Sequence, residues 1–258
     1  MHNPVFELTV LGSGTCAATV ERSMSGYHVN ISGTPGRFLL DIGAGSLRRL
    51  LEAGEDYRDI DAIFISHLHT DHVADLVPFL WATLHTPAYN RTKVLQIFGP
   101  PGMNAWYANL AQAYGEWLYE TNFGVEIIEK ENESWRWNEL DVTSAALQHS
   151  TPVNGYAFQK DGRLFVYSGD TGPCSALINL AKNADLLLCE CSFPASRKGI
   201  DFHLNSETAG EVAKAADVKK LVLTHMYPEC EAVDIRSECA KIFPGNIELA
   251  RDLMRLTI

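Results

Sequence analysis

The chain has 258 residues, of which 46% are hydrophobic and 21% charged, a balance typical of a soluble globular protein. Its 21 basic and 32 acidic side chains give a formal charge of −11, which argues against extended nucleic acid as a partner, because binding it requires a basic face. There is no run of eighteen apolar residues and no basic region followed by an apolar stretch at the N-terminus, so we expect neither a membrane partner nor secretion. We predict one cytoplasmic domain over residues 1–258.

Short apolar runs that end in a polar or glycine turn predict buried strands along the whole chain. In order, they are FELTVLGSG, RFLLDIGAG, AIFISH, VLQIFGPPG, VEIIE, LDVTSAALQH, RLFVYSGD, ADLLLCE and KKLVLTH. The segments between them that predict helices are GSLRRLLEAG, ADLVPFLWATLH, MNAWYANLAQAYGEWLYE, CSALINLAKN and SETAGEVAKAAD. The chain is therefore predicted to be a mixed α/β (α+β) protein, with sheets covered by helices.

Some of these segments resemble one another. RFLLDIGAG resembles RLFVYSGDTG, and DAIFISH resembles VKKLVLTH, which predicts two similar halves packed sheet to sheet. The helix predicted over 103–120 carries six apolar side chains at helical spacing, which predicts a buried face, with a pocket wall or a homodimer surface as the alternative. They are Trp106, Leu110, Ala113, Tyr114, Trp117 and Leu118. The six cysteines have no CxxC spacing and are expected to be free thiols without a functional role.

The segment ISHLHTDHVADL, residues 65–76, concentrates side chains that bind metals. His67, His69 and Asp71 alternate, so an extended backbone would point them to one side, and His72 becomes available once the chain turns. Three further candidates each follow a predicted strand, and they are His149, Asp170 and His225. Histidine and aspartate suit zinc, manganese or iron.

These seven side chains exceed the needs of one tetrahedral ion and match two ions that share a carboxylate. Two ions about 3.5–4 Å apart can hold a hydroxide between them and clamp the oxygens of an ester that undergoes displacement. The residues alone therefore predict a site for two divalent ions that hydrolyses an ester.

HLHTDH, with the downstream His149, Asp170 and His225, resembles the metallo-β-lactamase superfamily, as do LTVLGSGT, LLDIGAG and GNIELARDLMRLTI. The resemblance covers nearly the whole chain and implies an αββα sandwich with two metal ions, usually zinc, at one edge. It also implies that Asp41 orients ligands by hydrogen bonding, with a turn-forming role before Gly43 as the alternative. The implied ligands are His67, His69 and His149 for one ion, Asp71, His72 and His225 for the other, and Asp170 as the bridge.

HLHTDHVADLVPFL, IFGPPG, YSGDTGP, LVLTHMYP and HLNSETAGEVAKAA are similar to the ribonuclease Z-like phosphodiesterases of this superfamily. The resemblance implies that His203 acts on the scissile phosphate or its leaving group, and that Glu190 in LLLCECSF is its partner. The alternative for His203 is a surface histidine that caps the helix beginning near Ser206. The candidate catalytic residues are Asp71, His203 and Glu190.

Other branches of the superfamily fit less well. True β-lactamases usually carry a cysteine at the place of Asp170 and are secreted. Glyoxalase-II-like members add a helical domain after the last histidine, whereas only 33 residues follow His225 here.

Ribonuclease Z enzymes that process precursor tRNA usually carry a basic arm between the third histidine and the bridging aspartate. Here that interval is STPVNGYAFQKDGRLFVYSG, which predicts a hairpin and a strand. A small phosphodiester, cyclic or linear, is therefore the expected substrate. The alternatives are a lactone or carboxylic ester as substrate, 3′-tRNA processing, and a non-catalytic metal-binding or regulatory role.

Overall fold

The computed structural model describes residues 4–34, 36–199 and 201–258, which form two packed sheets with helices on both outer sides. Its strands are β1 (Phe6–Gly12), β2 (Gly26–Ile31), β3 (Arg37–Ile42), β4 (Ala62–Phe64), β5 (Leu95–Gly99), β6 (Val125–Glu129), β7 (Ser134–Trp137), β8 (Leu140–Ala146), β9 (Asn154–Lys160), β10 (Arg163–Tyr167), β11 (Leu186–Glu190), β12 (Lys220–Thr224), β13 (Asn246–Leu249) and β14 (Arg255–Thr257). Its helices are α1 (Ser46–Glu52), α2 (Thr70–Val73), α3 (Leu76–His85), α4 (Met103–Tyr114), α5 (Ser175–Leu180), α6 (Ser206–Ala215) and α7 (Ile235–Ala240).

The strand order is β14-β1-β2-β3-β4-β5-β6 in the first sheet and β7-β8-β9-β10-β11-β12-β13 in the second. Strands at the same place in the two orders, such as β3 and β10, are equivalent. In each sheet antiparallel pairing changes to parallel pairing once, at β3 in the first sheet and at β10 in the second. The parallel strands β3 to β6 therefore all end at the same edge of the first sheet. The parallel strands β10 to β13 all end at the same edge of the second sheet. This arrangement confirms the predicted αββα sandwich.

The two similar halves that were predicted correspond to the two sheets, and one of the two similar pairs of segments occupies equivalent strands. RFLLDIGAG and RLFVYSGDTG form β3 and β10, which occupy equivalent positions in the two sheets. DAIFISH forms β4, next to β3, whereas VKKLVLTH forms β12, which is separated from β10 by β11. The equivalent of β4 is thus β11. β4 and β12 look alike because both are covered on both faces and are therefore apolar throughout.

Alternate residues of the central strands face two different apolar layers. In β4, Phe64 packs between the sheets and Ile63 packs against the helices, and in β11 Leu188 and Leu187 divide in the same way. Aromatic rings fill the layer between the sheets, and the rings of Phe38 and Phe158, for example, lie 4.8 Å apart. Close packing of this kind gives a rigid base for the loops at the strand ends.

The helix predicted over 103–120 ends early, at Tyr114. Gly115 follows with φ 109°, a left-handed conformation that strains other residues, and α4 stops there. Of the six residues of the predicted buried face, only Leu118 is buried, and Tyr114 is 58% exposed. The face that α4 does bury consists of Met103, Tyr107 and Ala111. A homodimer surface on this side stays a prediction.

Five strands lie outside the nine runs predicted to be strands, namely β2, β7, β9, β13 and β14, although β9 lies in the segment 150–169 for which a hairpin was predicted. Three of them are short and have exposed positions, so their apolar runs are too brief to stand out. In the part of the chain that the structure describes, no helix has the length and apolar character needed to cross a membrane.

Candidate metal centre

The first predicted ligands follow β4 and enter a short helix. His67 is buried, and His69 has an extended backbone with φ −65° and ψ 148°. α2 begins at Thr70, so Asp71 and His72 project from its first turn. The prediction that Asp71 continues an extended backbone is therefore wrong, because the chain turns one residue before it.

The other three predicted ligands lie beyond the ends of β8, β10 and β12, and they are His149, Asp170 and His225. Two glycines allow close approaches at this edge, Gly169 between loops of the two sheets and Gly43 between two loops of the first sheet. A Cβ atom on Gly169 would lie 2.7 Å from the Cβ atom of Ser66, and one on Gly43 would lie 2.1 Å from the carbonyl oxygen of Asp71. Only glycine permits this approach at either position.

Three histidines meet on one side of the centre. His67 Nε2 lies 2.9 Å from His69 Nδ1, and His149 Nε2 lies 3.2 Å from the same nitrogen. One nitrogen from each of the three, together with a carboxylate oxygen of Asp170, lie within 4.8 Å of one another. We call His67, His69 and His149 the first ion group.

A second set of side chains meets beside the first. Asp71, His72 and His225 each offer an atom within 4.8 Å of the others, and we call them the second ion group. His225 Nε2 lies 3.5 Å from Asp71 Oδ2, and all three side chains are buried. The six residues thus fall into two clusters whose membership matches the two ligand sets that the family resemblance implies.

Asp170 lies between the two ion groups. Its Oδ2 atom is 3.7 Å from His67 Nε2 and 3.4 Å from His72 Nε2. Its Oδ1 atom is 3.4 Å from His225 Nε2. One carboxylate can therefore reach both groups, as a shared ligand must.

Buried atoms without partners show whether this centre suits divalent ions. Among the described residues, His72 Nε2, His225 Nε2 and Asp170 Oδ1 are buried and lack a hydrogen-bond partner. Leaving such atoms unsatisfied is costly unless a cation engages them. Imidazole nitrogens and carboxylate oxygens at this spacing are ligands for zinc, manganese or iron. The residues present therefore fit two ions.

The surroundings set the charges of the proposed ligands. Burial, aided by the charge of His72, lowers the pKa of His67 well below its usual range. Burial would raise the pKa of Asp170, but His225 and His72 outweigh it and hold that pKa well below its usual range. For His72 itself, Asp170 and Asp41 outweigh burial and raise the pKa, so an ion that binds there displaces a proton.

Asp41 is a buried carboxylate at the end of β3, where the backbone turns with φ 52°. Its Oδ2 atom accepts hydrogen bonds from His72 Nδ1 at 2.7 Å, from Ser66 Oγ at 2.7 Å and from the Tyr167 hydroxyl at 2.6 Å. The bond to Nδ1 leaves His72 Nε2 directed at the second ion group. These contacts support the orienting role that the resemblance implies.

Glu190 is another buried carboxylate, at the end of β11. Its Oε1 atom accepts from His203 Nδ1 at 3.0 Å and from Thr171 N at 2.6 Å. Its Oε2 atom accepts from Ser192 Oγ at 2.7 Å and from Leu204 N at 3.1 Å. The structure thus brings the predicted pair, Glu190 and His203, into direct contact.

His203 is charged at neutral pH. Burial opposes protonation of the ring, but the hydrogen bond and the charge of Glu190 outweigh it and raise the pKa of His203 to about 9. The side chain is 20% exposed, so the charged ring reaches solvent. Asn205, and not His203, caps α6, since its side chain accepts from Glu207 N and Thr208 N. The capping alternative for His203 is therefore wrong.

A cavity of about 440 Å³ opens beside His203. His69 and His149 of the first ion group line one side of it. The segment between β11 and α6 lines the other side with Phe193, Arg197, Lys198 and Phe202. The carbonyl oxygen of Phe202 accepts from His149 Nδ1 at 2.9 Å, which ties this wall to the first ion group. The volume is in the range of small-molecule sites.

Four groups that hold the histidine rings or the supporting Asp41 in place were not predicted from the sequence, namely Ser66, Tyr167, Ser192 and the carbonyl of Phe202. Serine and tyrosine are too common to signal such a role, and a backbone carbonyl leaves no trace in a sequence. The available signal was position, because Ser66 precedes His67 and Ser192 follows Glu190 by two residues.

Comparison with known proteins identifies the family. Residues 37–226 match the family model of the beta-lactamase superfamily domain, and the chain is 30% identical to the ribonuclease Z of Mycobacterium sp. (strain KMS), over 98% of this chain and 96% of that protein. The chain belongs to the metallo-β-lactamase superfamily. Within this superfamily it lies in the ribonuclease Z-like branch, as predicted.

Two further similarities agree with this placement in the superfamily. The ribonuclease Z of Brevibacillus brevis is 29% identical over 320 aligned positions, which cover 97% of this chain and 96% of that protein. The metallo-beta-lactamase fold protein YhfI from Bacillus subtilis superposes with a TM-score of 0.82 at 24% identity, covering 98% of this chain and 99% of that chain. The second similarity shows that the metallo-β-lactamase fold is shared.

Proposed function

We propose that this chain is a metal-dependent phosphodiesterase that uses two divalent ions, with zinc as the resident metal. The observation that carries the proposal is the position of the charged His203–Glu190 pair beside two ion groups that share Asp170. The relatives named ribonuclease Z support it, because a ribonuclease cleaves phosphodiester bonds.

The proposed ligands would hold the two ions and orient the attacking water. When bound, the two ions would supply a water of lowered pKa as nucleophile and would stabilise charge on the phosphoryl oxygens. Burial would raise the pKa of Asp71, but the neighbouring His225 and His72 outweigh burial and lower that pKa to about 2. We assign ionised Asp71 two roles, as a ligand and as the carboxylate that orients the attacking water. Asp170 would hold the two ion groups at a fixed separation.

His203 would protonate the leaving oxygen. Its Nδ1 atom donates to Glu190, so the proton on Nε2 is left for the substrate. With a pKa of about 9, His203 keeps that proton at neutral pH. A general acid helps most when the leaving group is basic, as an alkoxide is. Hydrolysis of a lactone or carboxylic ester at the same centre would have less need of this residue.

The surroundings of the site favour a small substrate. Between His149 and Asp170, β9 and β10 form a hairpin whose turn is Asp161 and Gly162, both with positive φ. The alignment with the Brevibacillus ribonuclease Z spans 320 positions although this chain has 258 residues, so that relative carries residues that this chain lacks. Processing of tRNA 3′ ends is the second candidate, because of the names of these relatives.

We further propose that the chain works as one cytoplasmic domain. All six cysteines are free thiols, and four of them are buried. Free thiols in this number suit a reducing compartment.

The test compares substrates on the purified protein loaded with zinc or manganese. We expect hydrolysis of bis(p-nitrophenyl) phosphate, little turnover of a lactone panel, and poor cleavage of precursor tRNA, because the charge of −11 repels RNA. The Asp170→Ala variant serves as the inactive control. Faster turnover of lactones would favour the ester hydrolase, and efficient 3′ trimming at physiological salt would overturn the small-substrate assignment.

A further inference from the structure

The hydrogen bonds around Ser192 fix the direction in which its proton points. Glu190 Oε2 accepts from Ser192 Oγ at 2.7 Å, and the same carboxylate already accepts from two backbone amides. An ionised carboxylate can only accept hydrogen bonds, and a serine hydroxyl has one proton to give. The hydroxyl of Ser192 therefore donates its one proton to Glu190.

The direction of this hydrogen bond determines which ring nitrogen of His225 carries a proton. Ser192 Oγ lies 3.0 Å from His225 Nδ1 and can only accept there, so Nδ1 must carry the ring proton. In the neutral ring, which is the form that binds an ion, the lone pair of His225 then lies on Nε2. That atom is buried, and it lies 3.5 Å from Asp71 Oδ2 and 3.4 Å from Asp170 Oδ1.

The same arrangement occurs in the other half of the molecule. Ser66 Oγ donates to Asp41 Oδ2 at 2.7 Å and lies 3.1 Å from His67 Nδ1, so His67 also carries its proton on Nδ1. Ser66 lies two residues beyond the end of β4, and Ser192 lies two residues beyond the end of β11, the equivalent strand of the second sheet. The arrangement therefore occurs twice, with the two serines at matching positions and the carboxylates on different strands.

We propose that Ser192 is a positioning residue that relays the charge of Glu190 to His225, which fixes the tautomer of His225 so that Nε2 faces the second ion group. The inference rests on the proposed metal centre. It adds that Glu190 supports two histidines at once, His203 directly and His225 through the serine. The ion site and the acid therefore share one buried carboxylate.

The test measures the tautomer and the ion affinity separately. In metal-free protein labelled with ¹⁵N-histidine, the ring nitrogen shifts of His225 should show a proton on Nδ1, and Ser192→Ala should shift the balance toward Nε2. In zinc titrations by calorimetry, the same variant should weaken the second ion by about 10- to 100-fold, the usual effect of removing such a support, and leave the first ion unchanged.

Two further variants make the test specific. Ser168→Ala removes a buried hydroxyl that accepts from Glu190 N and contacts no histidine ring in the described structure, so it should leave the His225 tautomer and both affinities as in the parent protein. Glu190→Gln should move the His225 tautomer even though Ser192 stands between the two side chains, because the amide can donate to Ser192 and release the serine proton toward Nδ1.

The results separate this proposal from the proposed function. A parent protein that binds fewer than two ions contradicts the dinuclear site, whereas the metal-free tautomer remains a valid test of the relay. If the parent binds two ions and Ser192→Ala leaves both the His225 tautomer and the second affinity unchanged, the relay is wrong. Equal losses in Ser192→Ala and Ser168→Ala would also overturn it, since they would reflect packing alone.

Discussion

Two of the buried carboxylates of this protein, Asp41 and Glu190, each support one histidine directly and a second one through a serine. They differ in the surroundings of the histidines that they support. Asp41 holds His72 and, through Ser66, His67, and both rings are fully buried in the ion groups. Glu190 supports one ring of an ion group, whereas the other, His203, is 20% exposed beside the cavity.

This difference shows how one local device can serve two purposes. A carboxylate beside a fully buried ring directs a lone pair to an ion, because the proton is held on the far nitrogen. A carboxylate beside a ring that reaches a cavity instead keeps a proton available for a substrate, because the pair favours the charged form. The two rings differ in what they face: His72 is buried among the ion groups, where a bound ion displaces a proton, whereas His203 reaches the cavity and can give its proton to a substrate.

The largest expected effect comes from removing Asp170, the residue that both ion groups share. Asp170→Ala should lose affinity for both ions and lower phosphodiester hydrolysis by about 10³-fold or more, since the ions supply several kcal/mol of stabilisation. Elemental analysis and steady-state rates measure the two losses. Asp185→Ala, which removes a carboxylate that pairs with Arg163 and Lys219 and belongs to neither ion group, is the matched control and should keep both ions. Retention of both ions in Asp170→Ala would contradict the bridging role.

Next in size is the loss of the exposed histidine on the Glu190 side. His203→Ala should slow hydrolysis of a phosphodiester with an alkyl leaving group by about 10²- to 10⁴-fold, and slow the p-nitrophenyl substrate far less, because p-nitrophenolate leaves without protonation. Metal content should stay unchanged, since His203 belongs to neither ion group. Equal slowing of the two substrates, or loss of an ion, would show that His203 positions the substrate or binds metal.

The two carboxylates themselves should differ in which ions they affect. Asp41→Asn should weaken both ions by about 10- to 100-fold, because Asp41 supports one histidine of each ion group. Glu190→Gln should weaken the second ion only. Zinc titrations of the two variants make this comparison, and an identical pattern of losses would remove the distinction between the two halves.

The pH dependence should reveal the acid on the Glu190 side. A folded pKa of about 9 means that His203 carries its proton below that pH and loses it above. The rate with an alkyl phosphodiester should therefore hold up to about pH 9 and then fall by about tenfold per pH unit. Glu190→Gln removes the charge that raises this pKa, so the decline should begin at a lower pH. If the decline begins at the same pH in that variant, a group other than His203 causes it.

The sequence was enough to predict the sandwich and the ligand types. Strands covered on both faces are continuous apolar runs, and histidines in HLHTDH are rare enough to stand out. It was not enough to show that α2 starts at Thr70, because four helical residues leave no periodic pattern. Nor could it identify Ser66 and Ser192, since a buried hydroxyl acquires its role only from the ring and the carboxylate on either side.

The most direct test of the central claim is a titration of the metal-free protein with zinc, with hydrolysis of bis(p-nitrophenyl) phosphate followed at each addition. Because the two ion groups share Asp170, both should be filled before the site is competent. We predict that activity rises to a plateau at two zinc ions per chain. A plateau reached at one ion per chain, or full activity without added metal, would contradict the account.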